Sequence, residues 1–134
     1  MLFAVRRHGL SRRGFALSAS SIRVELTSSP KEKLPNDRLM FGKTFTDHML
    51  EVDWTKGGGW EAPLISPYHN LSLDPSASSL HYALQCFEGM KAYLDDQDRI
   101  RLFRPDMNMK RMNVSAKRLF LPVSLLACIP GMFC

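Results

Sequence analysis

Arg111, in the stretch Asn108-Met109-Lys110-Arg111-Met112-Asn113, offers the most defined chemistry in this 134-residue chain. Its planar guanidinium presents paired N–H donors that suit a phosphate. On sequence alone the favoured reading is a solvated helix charge beside Lys110. A second feature is Cys86-Phe87-Glu88-Gly89-Met90-Lys91-Ala92-Tyr93. There an apolar, helix-like lead-in stops at Glu88-Gly89 and an alternating stretch begins at once, so a carboxylate is held at a corner. His48, His69 and His81 have no metal-ligand spacing and read as solvated or hydrogen-bonded side chains; no metal site is expected. Cys86, Cys128 and Cys134 form no Cys-x-x-Cys pair. An odd count without regular spacing argues against a disulfide framework and fits a reduced compartment, with Cys86 a small core residue. The chain has no His-Glu-x-x-His, phosphate-binding glycine loop, Gly-x-Gly-x-x-Gly or Ser-centred nucleophile elbow.

The formal charge of +5 does not describe a nucleic-acid surface. Arg6, Arg7, Arg12, Arg13 and Arg23 precede the first acid, Glu25. Removing those five from 18 basic residues leaves 13 basic against 13 acidic over residues 25–134, a net of zero. A nucleic-acid-binding domain would keep a basic stripe in its folded part, so no nucleic-acid partner is expected. The acid-free, Arg- and Ser-rich span 1–24 has the composition of a mitochondrial import peptide directed to the matrix. Leu2, Phe3 and Leu10 set against its arginines allow an amphipathic helix, with cleavage expected near Phe15 or Ile22. No apolar core of secretory type follows the charges.

Several elements must position these groups. Residues 25–40, broken by Pro30 and Pro35, read as a linker or extended arm, with structure beginning near Phe41. Residues 43–55 alternate, with Phe45, Asp47 and Met49 on one parity and His48, Leu50 and Val52 on the other, which predicts a strand. Lys56-Gly57-Gly58-Gly59 is a turn. Pro63 and Pro67 limit residues 60–73 to an edge strand and loop. Leu80, Ala83, Leu84 and Phe87 recur at helical spacing and predict a helix over 79–88, stopped by Gly89. Residues 90–104 outline a hairpin turning at Asp95–Asp98. Pro105 then starts a helix to about residue 120, with Met109, Met112, Ala116 and Leu119 on one face. Residues 119–134 carry no charge but are interrupted by two prolines. They are shorter than the roughly 20 apolar residues that span a bilayer. No membrane span is expected, and 123–134 reads as a divergent apolar tail of a truncated chain.

Four stretches occur in order: FGKTFTDHMLEVDW, NLSLDPSASSLHYALQCFEGMKAY, IRLFRPDMNMKRM and SAKRLFLP. Together they resemble the N-terminal small domain of the branched-chain amino-acid aminotransferases, over residues 41–122; with the import peptide, the mitochondrial form is the nearer likeness. The resemblance implies the α+β small domain of a fold-type IV enzyme, an antiparallel sheet with flanking helices, and pyridoxal phosphate as cofactor. It implies branched-chain amino acids and 2-oxo acids as substrates, and a homodimer. It places Phe41, Tyr82 and Phe87 in the apolar substrate pocket, with Tyr82 reaching across the dimer, and assigns Arg111 to the cofactor's phosphate. Without it, Phe87 reads as core, whereas Tyr82 lies off the apolar stripe. The family usually has an acid where this chain has Lys110.

The likeness stops after Leu121-Pro122. In the family a large domain follows, carrying the lysine that tethers the cofactor and moves the proton on Cα. None of the seven lysines here lies in a context resembling it, so no catalytic residue is assigned. Two readings follow: an inactive fragment of a transaminase, or a non-catalytic small-domain form that binds full-length subunits.

Overall fold

In the computed structural model, residues 19–123 are described. The spans 1–18 and 124–134, with the expected import helix and most of the apolar tail, lie outside them. Content among the described residues is mixed: seven short strands, β1 (Arg23–Val24), β2 (His48–Glu51), β3 (Trp54–Thr55), β4 (Gly59–Trp60), β5 (Leu64–Pro67), β6 (Ala92–Leu94) and β7 (Ile100–Leu102), with two α-helices, α1 (Ser78–Tyr82) and α2 (Pro105–Arg118), and two short 3-10 turns at Ala19–Ser21 and Asn36–Arg38. The α+β class expected from the sequence agrees with this content.

The largest sheet runs β1-β5-β2. β5 is antiparallel to β2, pairing His48 with Pro67 and Glu51 with Leu64, and parallel to β1, pairing Arg23 with Leu64. Two expectations are corrected here. β5 is a central strand, not an edge, because its prolines sit at its limits. Pro63 precedes it and lends its carbonyl to the Arg23 N–H at 2.9 Å, while Pro67 is its last residue. The interior Leu64, Ile65 and Ser66 keep their amides for the ladder. Ordered structure also begins well before Phe41, since β1 already belongs to the sheet. Pro63, Val52 and Ser66 are buried around it.

The arm is fastened rather than loose. The Thr27 N–H donates to His48 Nε2 at 3.0 Å, and the Lys31 N–H donates to Asp47 Oδ1 at 3.0 Å. Lys33 pairs with Asp47 Oδ2 at 2.8 Å. The Lys33 bond, then the Lys31 amide, hold the Asp47 carboxyl below its ordinary value.

The strand expected over 43–55 is shorter than its alternation. It divides into β2 and β3, and β3 turns back on β4 through residues 56–58. Gly57 has φ +101°, where an L side chain would be strained even though a Cβ there meets open space. The hairpin β6–β7 forms with the expected turn, and its register pairs Tyr93 with Arg101. Asp95 pins it, accepting from the amides of Gln97 and Arg99 and from Nε of Arg99 and Arg101, each at 2.9 Å.

The first helix departs most from expectation. α1 ends at Tyr82, Ala83 after it turns left-handed at φ 51°, and residues 83–91 are irregular. Gly89 is therefore not its stop. Leu80, Leu84 and Phe87 are all exposed, so no packing of the apolar stripe sustains further turns. α2 behaves as read. Pro105 occupies the first turn, where its missing N–H costs nothing, and Met109, Met112 and Ala116 are buried on one face. Cys86 lies half-buried against Met112, with Sγ to Sδ at 3.5 Å, and burial pushes its thiol up.

Met112 is 5 % exposed, whereas Val114 on the opposite face is 70 % exposed. Met112→Ala is expected to lower stability by about 2 kcal/mol, and Val114→Ala by under about 0.5 kcal/mol. Urea denaturation of the two variants measures the difference.

Candidate functional site

The corner at Glu88-Gly89 and the face of α2 meet through side chains rather than through a shared ladder. Arg111 Nε donates to Glu88 Oε2 at 2.9 Å and Arg111 Nη2 donates to Glu88 Oε1 at 2.8 Å. This is the side-on bidentate geometry that makes Arg–carboxylate pairs directional. Asn108, three residues before Arg111 and so on the same side of the helix, donates through Nδ2 to Glu88 Oε1 at 3.2 Å and to the Gly89 carbonyl at 2.6 Å. The Gly89 N–H closes back on Glu88 Oε1 at 3.1 Å. An irregular segment thus has its polar groups satisfied by one helix face, which is what a corner without regular structure requires.

The pair is lopsided. The Glu88 side chain is 15 % exposed and that of Arg111 57 %. The Arg111 hydrogen bond is the main cause holding the Glu88 carboxyl below its ordinary value of 4.5, and the same bond raises Arg111. A guanidinium has five N–H groups. Two are spent on Glu88, which leaves three, including both on Nη1, outside this pair. The donor set therefore fits one contact to a phosphate. Neighbouring Lys110 turns instead to Asp106 at 3.2 Å.

Phe41, Tyr82 and Phe87 are all strongly exposed. Phe41 lies in the turn before β2, Tyr82 is the last residue of α1, and Phe87 directly precedes Glu88. A cavity of about 100 Å³ lies elsewhere, lined in part by Arg23, Glu51, Asp53, Glu61 and His69; none of the three aromatics, nor Arg111, lines it. Within the described residues, then, the Glu88–Arg111–Asn108 cluster is assembled and the apolar pocket is not. Phe87, read without the resemblance as core, is exposed. The histidines behave as read: His48 accepts from Thr27, His69 Nε2 meets Glu51 Oε2 at 2.9 Å, and His81 bonds the Pro75 carbonyl. Among the described residues no cluster of metal-ligating side chains occurs. No helix among them is long and apolar enough to cross a membrane.

Glu88 and Asn108 were not singled out as site residues by sequence reasoning. The available signal was weak: a Glu fixed at a structural corner, and an Asn at i−3 from the candidate Arg.

Because its folded value is depressed, Glu88 stabilises the corner above the ordinary carboxylate range, and that contribution is lost as pH falls through the lower folded value. Hydrogen exchange at the Gly89 amide is expected to lose protection as pH drops below 4.5. In Glu88→Gln that step should be missing and protection lower throughout.

No protein-family model matches the chain. It is 54 % identical over 117 residues to a branched-chain-amino-acid aminotransferase of Monosiga brevicollis, covering 84 % of this chain and 30 % of that protein. It is 56 % identical over 106 residues to the cytosolic branched-chain-amino-acid aminotransferase of Saccharomyces cerevisiae, covering 79 % and 28 %. To the mitochondrial enzyme of Bos taurus it is 50 % identical over 119 residues, covering 85 % and 30 %. Mitochondrial and cytosolic forms thus both occur among its relatives. With half or more of its residues identical along most of its length, the chain is a homologue of the branched-chain-amino-acid aminotransferases and spans about three tenths of the relatives it matches.

Proposed function

We propose that this chain supplies the small-domain part of a fold-type IV transaminase that exchanges an amino group between leucine, isoleucine or valine and 2-oxoglutarate. The observation that carries this is identity of half or more to enzymes of that name over about four fifths of the chain or more. Pyridoxal phosphate, when bound, supplies the electron sink for chemistry at Cα. The residues of this chain bind and orient. Arg111 offers its outer N–H edge to the cofactor's phosphate. Phe41, Tyr82 and Phe87 supply apolar surface for a branched aliphatic side chain, Tyr82 toward the partner subunit of a homodimer. Their exposure supports this reading, since large apolar side chains left open on a small unit mark surface intended for contact. An apolar substrate calls for such a wall.

The assignment is tested with a chimera in which residues 41–122 replace the corresponding stretch of the Bos taurus relative. It is expected to retain leucine transamination. Within it, Arg111→Met should weaken pyridoxal phosphate roughly ten- to a hundredfold, the value of one charge-assisted contact. Phe87→Ser should raise KM for leucine. The 134-residue chain by itself should show neither turnover nor visible absorbance that survives desalting. One exposed contact to phosphate falls short of even millimolar affinity, and none of its lysines has the context of a covalent tether. A chimera that folds but does not turn over leucine would refute the reading.

For residues 1–24 we propose import into the mitochondrial matrix, supported by their acid-free, Arg- and Ser-rich composition. A reporter fused to residues 1–24 is expected in mitochondria and shortened by cleavage. Retention in the cytosol would overturn that expectation.

A further inference from the structure

We infer that Glu88 is the positioning residue for Arg111: it locks the guanidinium side-on, so that the outer N–H edge is presented in one orientation to a phosphate. This rests on the reading of Arg111 as a phosphate contact and adds what aims it.

The geometry distinguishes this from an ordinary surface ion pair. Four donor contacts converge on the Glu88 carboxylate: Arg111 Nε and Nη2, Asn108 Nδ2 and the Gly89 N–H. Asn108 also grips the Gly89 carbonyl at 2.6 Å, so the carboxylate's own backbone is tied to α2. The carboxylate is consequently the fixed member, at 15 % exposure, and the guanidinium the projecting one, at 57 %. An exposed arginine ordinarily spreads over many rotamers, and ordering it on binding costs conformational entropy. Here that cost is met before any anion arrives. The side-on bond consumes Nε and one N–H of Nη2. The end-on fork, with Nη1 and the other Nη2 hydrogen, stays oriented outward and matches two oxygens of a phosphate. The negative charge of Glu88 opposes an incoming phosphate, and the fixed fork offsets that repulsion.

The test uses the full chain and inorganic phosphate as the probe, followed by 15N NMR at the Arg111 side chain, with chloride at matched ionic strength as the reference. In the wild type the Arg111 Nε–H signal is expected to be slow to exchange with solvent, and the guanidinium signals should move with phosphate but not with chloride. In Glu88→Gln the Nε–H protection should vanish, and the response to phosphate should fall roughly tenfold, the scale on which orienting partners act. Amide signals of Met109 and Met112 report whether α2 is still folded. Should Glu88→Gln unfold it, Asn108→Ala is the second variant. It keeps both charges but frees the carboxylate, and an intermediate loss is expected. A wild type whose Arg111 ignores phosphate sinks the phosphate reading and the positioning role with it. A wild-type response equalled or exceeded in the Glu88 variant, or in Asn108→Ala where that variant is used, leaves the phosphate reading standing and overturns the role of Glu88.

Discussion

The ion pair between Glu88 and Arg111 is the constraint on which the second half of the described chain depends. Residues 83–91 have neither helix nor ladder to hold them. Their polar attachment to α2 includes that pair, the Asn108 contacts and the half-buried Cys86 against Met112. The corner has two sides. Cys86 turns to the apolar face of α2, while Glu88 turns to its polar side. Phe87, between them in sequence, has neither partner and is exposed. The backbone path that lets Cys86 and Glu88 both reach α2 thus leaves Phe87 outward.

A related division of labour explains why so much apolar surface is open. Among the described residues the buried hydrophobic set is small: Val52, Met109, Met112 and Ala116, with Pro63. Polar contacts carry a large share of the ordering, from the arm on Asp47 to the hairpin on Asp95 and the corner on Glu88. Hydrogen bonds and exposed ion pairs specify geometry well but stabilise little each. A unit ordered mainly by such contacts holds its shape locally while its aromatic side chains wait for a facing surface. Phe41, Tyr82 and Phe87 are of this kind.

Much of this was legible in the sequence where the determinants are local. The β6–β7 hairpin follows from alternation around Asp95–Asp98, and α2 from Pro105 and the spacing of its methionines. The central place of β5 was not legible, because its partners lie 41 residues earlier at Arg23 and 13 earlier at Glu51, and two prolines pointed the other way. The length of α1 was misread for a different reason. Periodicity at Leu80, Leu84 and Phe87 shows that a helix could form, but only burial of that stripe would sustain it, and the stripe is exposed. At the site, Arg111 stood out by residue type and by its motif. Its partner Glu88 lies 23 residues away on an irregular segment, and no local pattern encodes a pairing of that kind.

Asp47, Glu88 and Asp95 share one design that links these observations. Each carboxylate accepts at least one backbone N–H and at least one cationic side chain, and each is held below its ordinary value, led by Lys33 at Asp47, by Arg111 at Glu88 and by the Arg99 amide at Asp95. Each therefore contributes above the ordinary carboxylate range, 3.8 for the aspartates and 4.5 for Glu88, and loses its contribution as acid protonates it. The three fasten the arm, the corner and the hairpin turn, the places where the chain has least regular structure. A carboxylate suits them because it can take several donors at once, from nearby residues at Asp95 and from residues 14 to 23 positions away at Asp47 and Glu88. Of the three, only at Glu88 is the cationic partner the candidate site residue itself. Ordering of the corner and orientation of Arg111 are therefore one equilibrium: whatever loosens the corner also frees the guanidinium.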